Sequence, residues 1–287
     1  MKSDIPLVDL TPAIGPGAHT EEETLSYLPM PKEMYTFEPP SLPEPEVLEN
    51  APNVTALLER LQAALDGYKP GMPVRRVELT ALSAGEIRVL HQILGEGEVA
   101  VQILGDTRLQ GQETILAGVW WLQQTDAAGA LQQHWLEVAD APELLRTQAF
   151  AGSRIPDMGE EELPDNILNA GPVLVELFDI AREHRNCPRQ EPHVVNLSLL
   201  PFSPEDHAFL AQRLGEGHAL ILSRGYGNCR ITATAVPGIW RVQYFNSTDQ
   251  LILDTLEVIE LPQVACAATE DLEDSADRLR EIREVLL

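Results

Sequence analysis

Two stretches of the chain, residues 52–65 and 169–181, place apolar residues at helical spacing. Apolar positions that recur every three or four residues form one face of a helix, and that face needs a core to pack against. Each stretch therefore predicts an amphipathic helix. The positions are Val54, Leu57, Leu58 and Leu61 in the first stretch, and Val173, Leu174, Leu177, Phe178 and Ala181 in the second.

A short strand and a second helix are predicted after each of these helices. Apolar and polar residues alternate in RRVELT at 75–80 and in HVVNLS at 193–198, which is typical of a half-buried strand. A serine followed three positions later by an acid then marks a helix N-terminus, because each side chain can bond a free backbone amide. Glycines suited to a left-handed C-cap end both helices. These residues are Ser83, Glu86 and Gly95 in the first case, and Ser203, Asp206 and Gly215 in the second.

Three strand patterns follow the second helix in each half of the chain. They are rich in β-branched and aromatic residues, and turn-forming stretches such as TDAAGA and NSTDQ separate them. Both halves therefore have the predicted order α-β-α-β-β-β. The patterns are EVAVQIL, TILAGVWWLQQ and ALQQHWLEVA in the first half, and HALILS, CRITATA joined with GIWRVQYF, and QLILDTLEVI in the second.

The two halves also share sequence at a constant shift of 120 residues. Several matches in one order indicate an internal repeat. We predict an α+β fold, a tandem duplication of an α-β-α-β-β-β unit with largely antiparallel sheets, in which Trp120 and Trp240 are equivalent core anchors. The repeat permits the two sheets to pair across a pseudo-twofold axis, but the sequence does not show whether they do. The matching segments are LGEG at 94–97 and 214–217, AGVWWL at 117–122 with PGIWRV at 237–242, and LEVADAP at 136–142 with LEVIELP at 256–262.

The chain divides into five predicted segments. The first 48 residues hold 9 of the 22 prolines and have few periodic apolar positions, so this acidic arm is predicted to be flexible. The last segment has apolar residues at helical spacing between Leu272 and Leu286 and is predicted to be an amphipathic helix. The segments are the arm at 1–48, the first repeat at 49–150, an acidic linker at 151–167, the second repeat at 168–268 and the C-terminal helix at 269–287.

The charge balance limits the classes of partner. The chain has 20 lysines and arginines against 45 acids, a formal charge of −25, which repels nucleic acid and anionic membranes. A basic or neutral protein partner is expected. No apolar run is long enough to span a bilayer, and the N-terminal sequence MKSDIPLVDL lacks the apolar region of a secretory signal, so a cytoplasmic protein is expected.

The stretch SRGYGNCRITAT at 223–234 has three possible roles: a phosphate cradle, a reactive thiol site or a hairpin. A phosphate cradle needs a helix N-terminus directly after the glycines, where free amides meet the anion. The residues after Gly227 are rich in β-branched side chains and predict a strand instead. We therefore predict a hairpin, with Gly225 or Gly227 at positive φ.

The cysteines leave two alternatives open. Cys229 could be a nucleophile with His218 as its base and nearby arginines that lower its pKa, although alternation with Ile231 and Ala233 favours a buried, inert thiol. An iron or iron–sulfur carrier would instead use the three cysteines with a histidine, but the sequence has no CxxC pair. We predict no enzyme, no catalytic residues, no metal and no cofactor. The residues of the carrier alternative are Cys187, Cys229 and Cys266, with His184 or His218.

The two repeats differ most at this hairpin. The second repeat has RGYGNCR where the first has LGDTRLQ, so a turn has acquired glycines, an aromatic residue, a thiol and arginines. Partner recognition and a tighter hairpin explain the difference equally well. The predicted partner-binding residues are Arg224, Tyr226, Asn228, Arg230, Arg241, Tyr244 and Phe245, with Met34 and Phe37 from the arm.

The run from residue 215 to residue 279 resembles the C-terminal conserved region of the hydrogenase expression/formation proteins of the HupH, HyaF and HoxQ type. The resemblance rests on LGEG, SRGYGNCRI, WRVQYFN, LEV followed by proline, and ACAATEDLEDSA, and on MPKEMYTFEPPSLPEPE in the arm. It implies an accessory factor in the maturation of an uptake nickel–iron hydrogenase. The family has no established catalytic residues to assign to this chain.

The resemblance also implies a specific role. The protein would be a dedicated chaperone that holds the precursor of the iron–sulfur small subunit in the cytoplasm until its clusters are inserted, before twin-arginine export. A thioredoxin-like accessory protein would act with it. A strongly acidic surface suits a client with a basic leader peptide.

Overall fold

The computed structural model describes residues 42–44, 47–48, 50–105, 107–157, 164, 166–224 and 227–286. In the first repeat these residues form α1 (Pro52–Leu65), β1 (Arg75–Glu78), α2 (Ala84–Leu94), β2 (Val99–Ile103), β3 (Thr107–Glu113), β4 (Val119–Asp126), β5 (Leu131–Val138) and α3 (Glu143–Gln148). In the second repeat they form α4 (Ala170–Asn186), β6 (His193–Asn196), a 3₁₀ turn (Leu197–Leu199), α5 (Pro204–Leu214), β7 (Ala219–Ser223), β8 (Asn228–Ala233), β9 (Ile239–Phe245), β10 (Leu251–Val258), a second 3₁₀ turn (Gln263–Ala265) and α6 (Thr269–Leu286).

All ten strands form one sheet in the order β1-β5-β4-β3-β2-β7-β8-β9-β10-β6. Every pairing in this sheet is antiparallel. The repeats meet where β2 pairs with β7, and Val101 lies opposite Ile221 at that seam. These two residues are separated by the 120-residue shift of the repeat, so a pseudo-twofold axis passes between them. The α+β class with an antiparallel sheet is confirmed.

Each repeat has one more strand than the sequence patterns predicted. In the first repeat β3 was missed because it is largely polar, whereas residues 114–118 of the predicted TILAGV strand form a turn that ends at Gly118 with φ 77°. In the second repeat the pattern CRITATA joined with GIWRVQYF is two strands, β8 and β9, separated by a similar turn at Gly238 with φ 79°.

The predicted helix caps of the second repeat are present and have an additional role. Ser203 Oγ accepts from the backbone N–H of Asp206 at 3.1 Å, and Asp206 Oδ2 accepts from the N–H of Ser203 at 3.2 Å. Asp206 Oδ1 also accepts from the backbone N–H groups of residues 168, 169 and 170 at 2.9–3.0 Å. One buried carboxylate thus joins the N-terminus of α5 to that of α4.

In the first repeat, Ser83 and Glu86 form the same capping box. The carboxylate of Glu86 accepts from the side chain of Asn53 at 2.8 Å, so it reaches α1 through a side chain. Gly95 and Gly215 end α2 and α5 with positive φ, 56° and 61°, as predicted, but their ψ angles of −167° and −174° differ from those of a left-handed C-cap.

The sheet has two differently covered faces. Residues that are paired across strands share a face, and neighbours along a strand lie on opposite faces. On the face that we call the helix face, apolar residues of the outer strands β6 and β10 form one core with α4 and α5. Between the helix pairs, the central strands present half-exposed residues to this face. These residues include Gln102, Gln110, Gln112, Leu220, Leu222, Arg230 and Thr232.

The other side, which we call the opposite face, carries the apolar residues of the central strands. Trp120 and Trp240 are fully buried there, as predicted, and each indole N–H donates to a carbonyl beyond an outer strand, of Ala139 at 3.0 Å and of Glu260 at 3.2 Å. The segment that leaves each repeat crosses to the other one. The ring of Phe150, from the first repeat, packs on Trp240 with ring centroids 5.0 Å apart.

The segment after β10 makes the reciprocal crossing. The N–H of Ala267 donates to the carbonyl of Asp140 at 2.8 Å. Leu272, at the start of α6, lies directly against Gly118 of the first repeat, where an added Cβ would overlap its side chain. α6 then packs on α1, where the side chain of Gln62 donates to the carbonyl of Ala276 at 2.9 Å. Within the described ranges, no helix has both the length and the apolar character to cross a membrane.

Candidate partner-binding surface

The stretch 223–234 forms the predicted hairpin between β7 and β8. Ser223 pairs with Cys229, and Gly227 has φ 105°, in the left-handed region that glycine favours. Arg224 is exposed at the start of the loop, and its backbone N–H donates to the carbonyl of Glu98 at 3.1 Å. Tyr226 lies outside the described residues, as do Met34 and Phe37 of the arm.

The hairpin of the second repeat is no tighter than that of the first. Its last paired residues are Ser223 and Cys229, and those of the first repeat are Ile103 and Leu109. Each pair encloses a loop of the same length, so a shorter connection does not explain the added glycines. Of the two explanations for the difference between the repeats, a tighter hairpin is therefore excluded, and partner recognition is left.

The loop is held to a neighbouring turn. The side-chain amide of Asn228 donates to Asp249 Oδ1 at 3.2 Å, which ties this hairpin to the turn between β9 and β10. Within that turn, Asn246 Oδ1 accepts from the backbone N–H groups of Thr248 and Gln250, both at 2.9 Å. Side-chain hydrogen bonds thus link the described residues of these two turns.

Strand alternation places the predicted surface residues on two different faces. Asn228 and Arg230 lie on the helix face, and Asn228 is paired with Phe245 on β9. Tyr244 is paired with Cys229 and lies on the opposite face. Arg224, Asn228, Arg230 and Phe245 can therefore contribute to one surface, and Tyr244 cannot contribute to the same surface.

Arg241 is inside the protein and is removed from the predicted surface. Its residue is only 8% exposed, and its guanidinium binds Asp254 through two hydrogen bonds, Nε to Oδ1 at 2.9 Å and Nη2 to Oδ2 at 2.5 Å. The N–H of Asp254 in turn donates to Ser198 Oγ at 2.9 Å. A buried, bidentate ion pair serves the fold, because a partner at the surface cannot reach either side chain.

Cys229 is buried and lies directly across from Tyr244 of β9. Burial raises the pKa of this thiol to about 12, and the negative charge of Glu257 acts in the same direction. A nucleophilic cysteine needs the thiolate near neutral pH. The environment of Cys229 opposes that form, which counts against a thiol-dependent enzyme at this position.

The residues of the carrier alternative lie in different environments. Cys187 is exposed, whereas Cys266 is half-buried and burial raises the pKa of its thiol to about 11. His184 is buried, and its Nδ1 accepts from the backbone N–H of Arg189 at 3.1 Å. Among the described residues, no three histidine, cysteine or acidic side chains are grouped as metal ligands.

The outer edge of the second repeat was not predicted as a surface. There, Val194 of β6 is 48% exposed, and Leu199 just after this strand is 80% exposed. The signal was present in the alignment of the repeats: RRVELT has arginine where HVVNLS has valine at the position of Val194. An apolar residue in place of a charged one on an edge strand points to an interaction surface.

Comparison with known proteins identifies the family. The model of the "HupH hydrogenase expression protein, C-terminal conserved region" matches this chain twice, at residues 51–150 and 167–286. The chain is 60% identical over 277 residues to hydrogenase expression/formation protein HupQ of Azotobacter chroococcum mcd 1, covering 96% of this chain and 97% of that protein. It is 58% identical to hydrogenase expression/formation protein HoxQ of Azotobacter vinelandii, with 100% of both chains covered.

More distant relatives extend the comparison. Hydrogenase-1 operon protein HyaF of Escherichia coli (strain K12) is 33% identical over 275 residues, 94% of each chain. The solved structure of hydrogenase expression protein HupH from Thiobacillus denitrificans ATCC 25259 is 25% identical, covering 42% of this chain and 97% of that one with a TM-score of 0.37. The chain belongs to the HupH family of hydrogenase expression/formation proteins.

Proposed function

We propose that this protein is an accessory chaperone in the maturation of an uptake nickel–iron hydrogenase. It binds the precursor of the iron–sulfur small subunit in the cytoplasm until the clusters are inserted, before twin-arginine export. The observation that carries the proposal is the family: full-length relatives at 58% and 60% identity are named hydrogenase expression/formation proteins. An accessory role without catalysis agrees with the buried, protonated state of Cys229.

The proposed binding surface is the helix-face side of the second-repeat hairpin. It comprises Arg224, Asn228, Arg230 and Phe245, and Tyr226 at the tip is assigned to it from the sequence alone. Asn228 and Asp249 hold two neighbouring turns together, so the described part of the surface is held in place before a partner arrives. An ordered surface loses less conformational entropy on binding. The chain charge of −25 favours a client with a basic segment for the molecule as a whole, whereas Arg224 and Arg230 on this surface would contact an acidic or apolar part of that client.

The client is tested by anaerobic co-purification from hydrogenase-expressing cells with the tagged full-length chain. We expect mass spectrometry to recover the small-subunit precursor with its leader intact, together with a thioredoxin-like accessory protein. Recovery of stoichiometric iron without the small subunit would contradict the proposal and support a carrier.

The surface is tested in the same assay with one substitution and a matched control. Arg224→Glu changes an exposed side chain on the hairpin loop and is expected to reduce recovery of the precursor about tenfold, the effect of losing a charged contact at an interface. Arg108→Glu makes the same change at an exposed position beside the corresponding hairpin of the first repeat and is expected to leave recovery unchanged. Equal recovery with both variants would place the client elsewhere.

A further inference from the structure

Equivalent carboxylates on the opposite face have different surroundings in the two repeats. Glu137 of β5 and Glu257 of β10 are related by the 120-residue shift. Each lies directly across from an edge strand: Glu137 is paired with Arg76 of β1, and Glu257 is paired with Val194 of β6. The pairing is the same in the two repeats, and the residue on the edge strand differs.

Glu137 is fully buried and fully satisfied. Arg76 Nε donates to its Oε2 at 2.9 Å, and the indole N–H of Trp135 donates to the same oxygen at 3.0 Å. The backbone N–H of Glu143 donates to Oε1 at 2.7 Å. The guanidinium of Arg76 also lies over the ring of Trp135, 5.1 Å from its centroid. An edge-strand arginine, an indole and a backbone amide thus stabilise one carboxylate.

Glu257 has almost none of these partners. Val194 takes the place of Arg76, and Thr255 takes the place of Trp135. Within the described part of the chain, the hydrogen bond that Glu257 receives comes from Thr255 Oγ1 at 3.4 Å, and no cationic side chain forms an ion pair with it. Burial raises the pKa of this carboxyl. The second repeat therefore keeps the carboxyl group of the first repeat but lacks the cationic side chain that pairs with it.

The strand that covers Glu257 is also the open edge of the sheet. Among the described strands, β6 has a neighbour on one side alone, so its outer backbone groups can pair with another chain. Val194 on this edge strand and Leu199 just after it are exposed. The corresponding edge strand β1 instead carries Arg75, Arg76 and Glu78, and charged side chains protect an edge from pairing.

We propose that the outer edge of β6 binds an extended segment of a partner protein, which adds as an eleventh strand and places an arginine against Glu257. Strands in a sheet lie about 4.8 Å apart, so the added strand would be about 10 Å from β10. Extended arginine and glutamate side chains together span that distance across Val194. The exposed apolar residues then pack against the partner, as in other strand additions.

Charge complementarity selects this partner over two other occupants. Residues 1–41 of the chain hold seven acids against two lysines, so the arm carries a net negative charge, and it has no arginine to supply the guanidinium. A second copy that paired through β6 would present Val194 and Asn196 on this face, and neither is cationic. The inference goes beyond the proposed function, because it concerns a surface at the other end of the second repeat and holds whatever client the hairpin binds.

The test uses the full chain and a synthetic probe. The probe is a blocked seven-residue peptide of alternating valine and threonine with a central arginine, and the comparison peptide has citrulline at the centre, which keeps the shape and removes the charge. We expect the arginine peptide to bind about tenfold more tightly than the citrulline peptide in calorimetric titrations. Glu257→Gln should abolish that preference.

Two further variants separate the site from general effects. Val194→Arg places a guanidinium where Arg76 lies in the first repeat and should block the peptide while raising the melting temperature. Glu176→Gln, at an exposed position of α4, removes a carboxylate that contacts His193 of β6 on the helix face, and it should leave the arginine preference unchanged because Glu257 lies on the opposite face. Thermal melts of each variant report whether it folds.

Three outcomes would overturn the proposal. They are equal binding of the two peptides, an arginine preference that survives in Glu257→Gln, and a β6-mediated dimer in sedimentation that Val194→Arg disrupts. Because the peptide experiment contains no hydrogenase subunit, its failure leaves the proposed function standing, and failure of the co-purification leaves this site standing.

Discussion

At equivalent positions of the helix face, the two repeats bury different pairs of side chains. On β4 and β5 the first repeat buries Trp121 and His134, whose rings lie 5.3 Å apart, and burial lowers the pKa of His134 to about 4. At the positions shifted by 120, the second repeat buries Arg241 with Asp254 as a bidentate ion pair. The backbone pairing is the same at both places. The repeated fold therefore constrains the space between strands and helices, and it leaves the polarity of the pair free to change.

Removing one partner of the buried ion pair should have the largest effect on the free energy of unfolding. Arg241→Leu leaves Asp254 charged and buried without its partner, and we expect a loss of about 3–5 kcal/mol in the free energy of unfolding, measured by urea denaturation. Replacing both residues with those of the first repeat, Arg241→Trp with Asp254→His, should recover most of the loss. A double variant as unstable as the single one would show that a tryptophan and histidine pair cannot replace the ion pair at these positions.

Removing the carboxylate that joins two helix N-termini should cost somewhat less. Asp206→Ala deprives buried backbone N–H groups of α4 and α5 of their acceptor, and we expect a loss of about 2–4 kcal/mol in urea denaturation. Glu86→Ala, the matching change in the first repeat, should cost less, because Glu86 reaches α1 through a side chain that solvent can replace. Equal losses would contradict this difference between the repeats.

The pH dependence of Asp206 follows from its hydrogen bonds. Burial raises the pKa of this carboxyl, but backbone N–H donors outweigh burial and lower it from 3.8 to about 2. A folded-state pKa below the unfolded one means that the stabilisation is complete above about pH 4 and is lost as the pH falls towards 2. Asp206→Asn should remove that part of the acid sensitivity.

Neutralising a buried acid of the first repeat should change the free energy of unfolding least, and it should stabilise the protein. Burial raises the pKa of Glu113 from 4.5 to about 7, and its equivalent in the second repeat is Ala233. A raised pKa in the folded state means that stability is lost as the pH rises from about 4.5 to 7. Glu113→Gln keeps the bond from the N–H of Gly118 and should stabilise the protein by about 2 kcal/mol at pH 8. No gain at pH 8, measured by urea denaturation with pH 4 as the reference, would contradict this.

Local signals in the sequence were sufficient for five of the six described helices and for the hairpin, whereas the short helix α3 was not predicted. The serine and acid pairs that start α2 and α5 act within four residues, and the glycine at 227 has the positive φ that the turn requires. The polar strand β3 was beyond these rules. Its alternation of Leu109, Gly111 and Glu113 against polar residues becomes recognisable only when two strands already flank it.

The candidate surface was harder to predict, because it depends on which residues pair across strands. Adjacent residues such as Tyr244 and Phe245 must lie on opposite faces, and only the register of β8 with β9 decides which one joins Arg230. The burial of Arg241 depends on Asp254 of the next strand. Local patterns describe one strand at a time, whereas a surface combines several.

Because the terminal segments cross over, the two repeats depend on each other as the subunits of a dimer do. Because Phe150 packs on Trp240 and Leu272 lies against Gly118, each repeat completes its core with residues that belong to the other. The β2–β7 seam has the geometry of a homodimer interface whose two protomers are covalently fused. A protease cut in the connector at 151–167 should therefore yield two fragments that remain together under native conditions. A chain with a single repeat would need a second copy of itself to be stable.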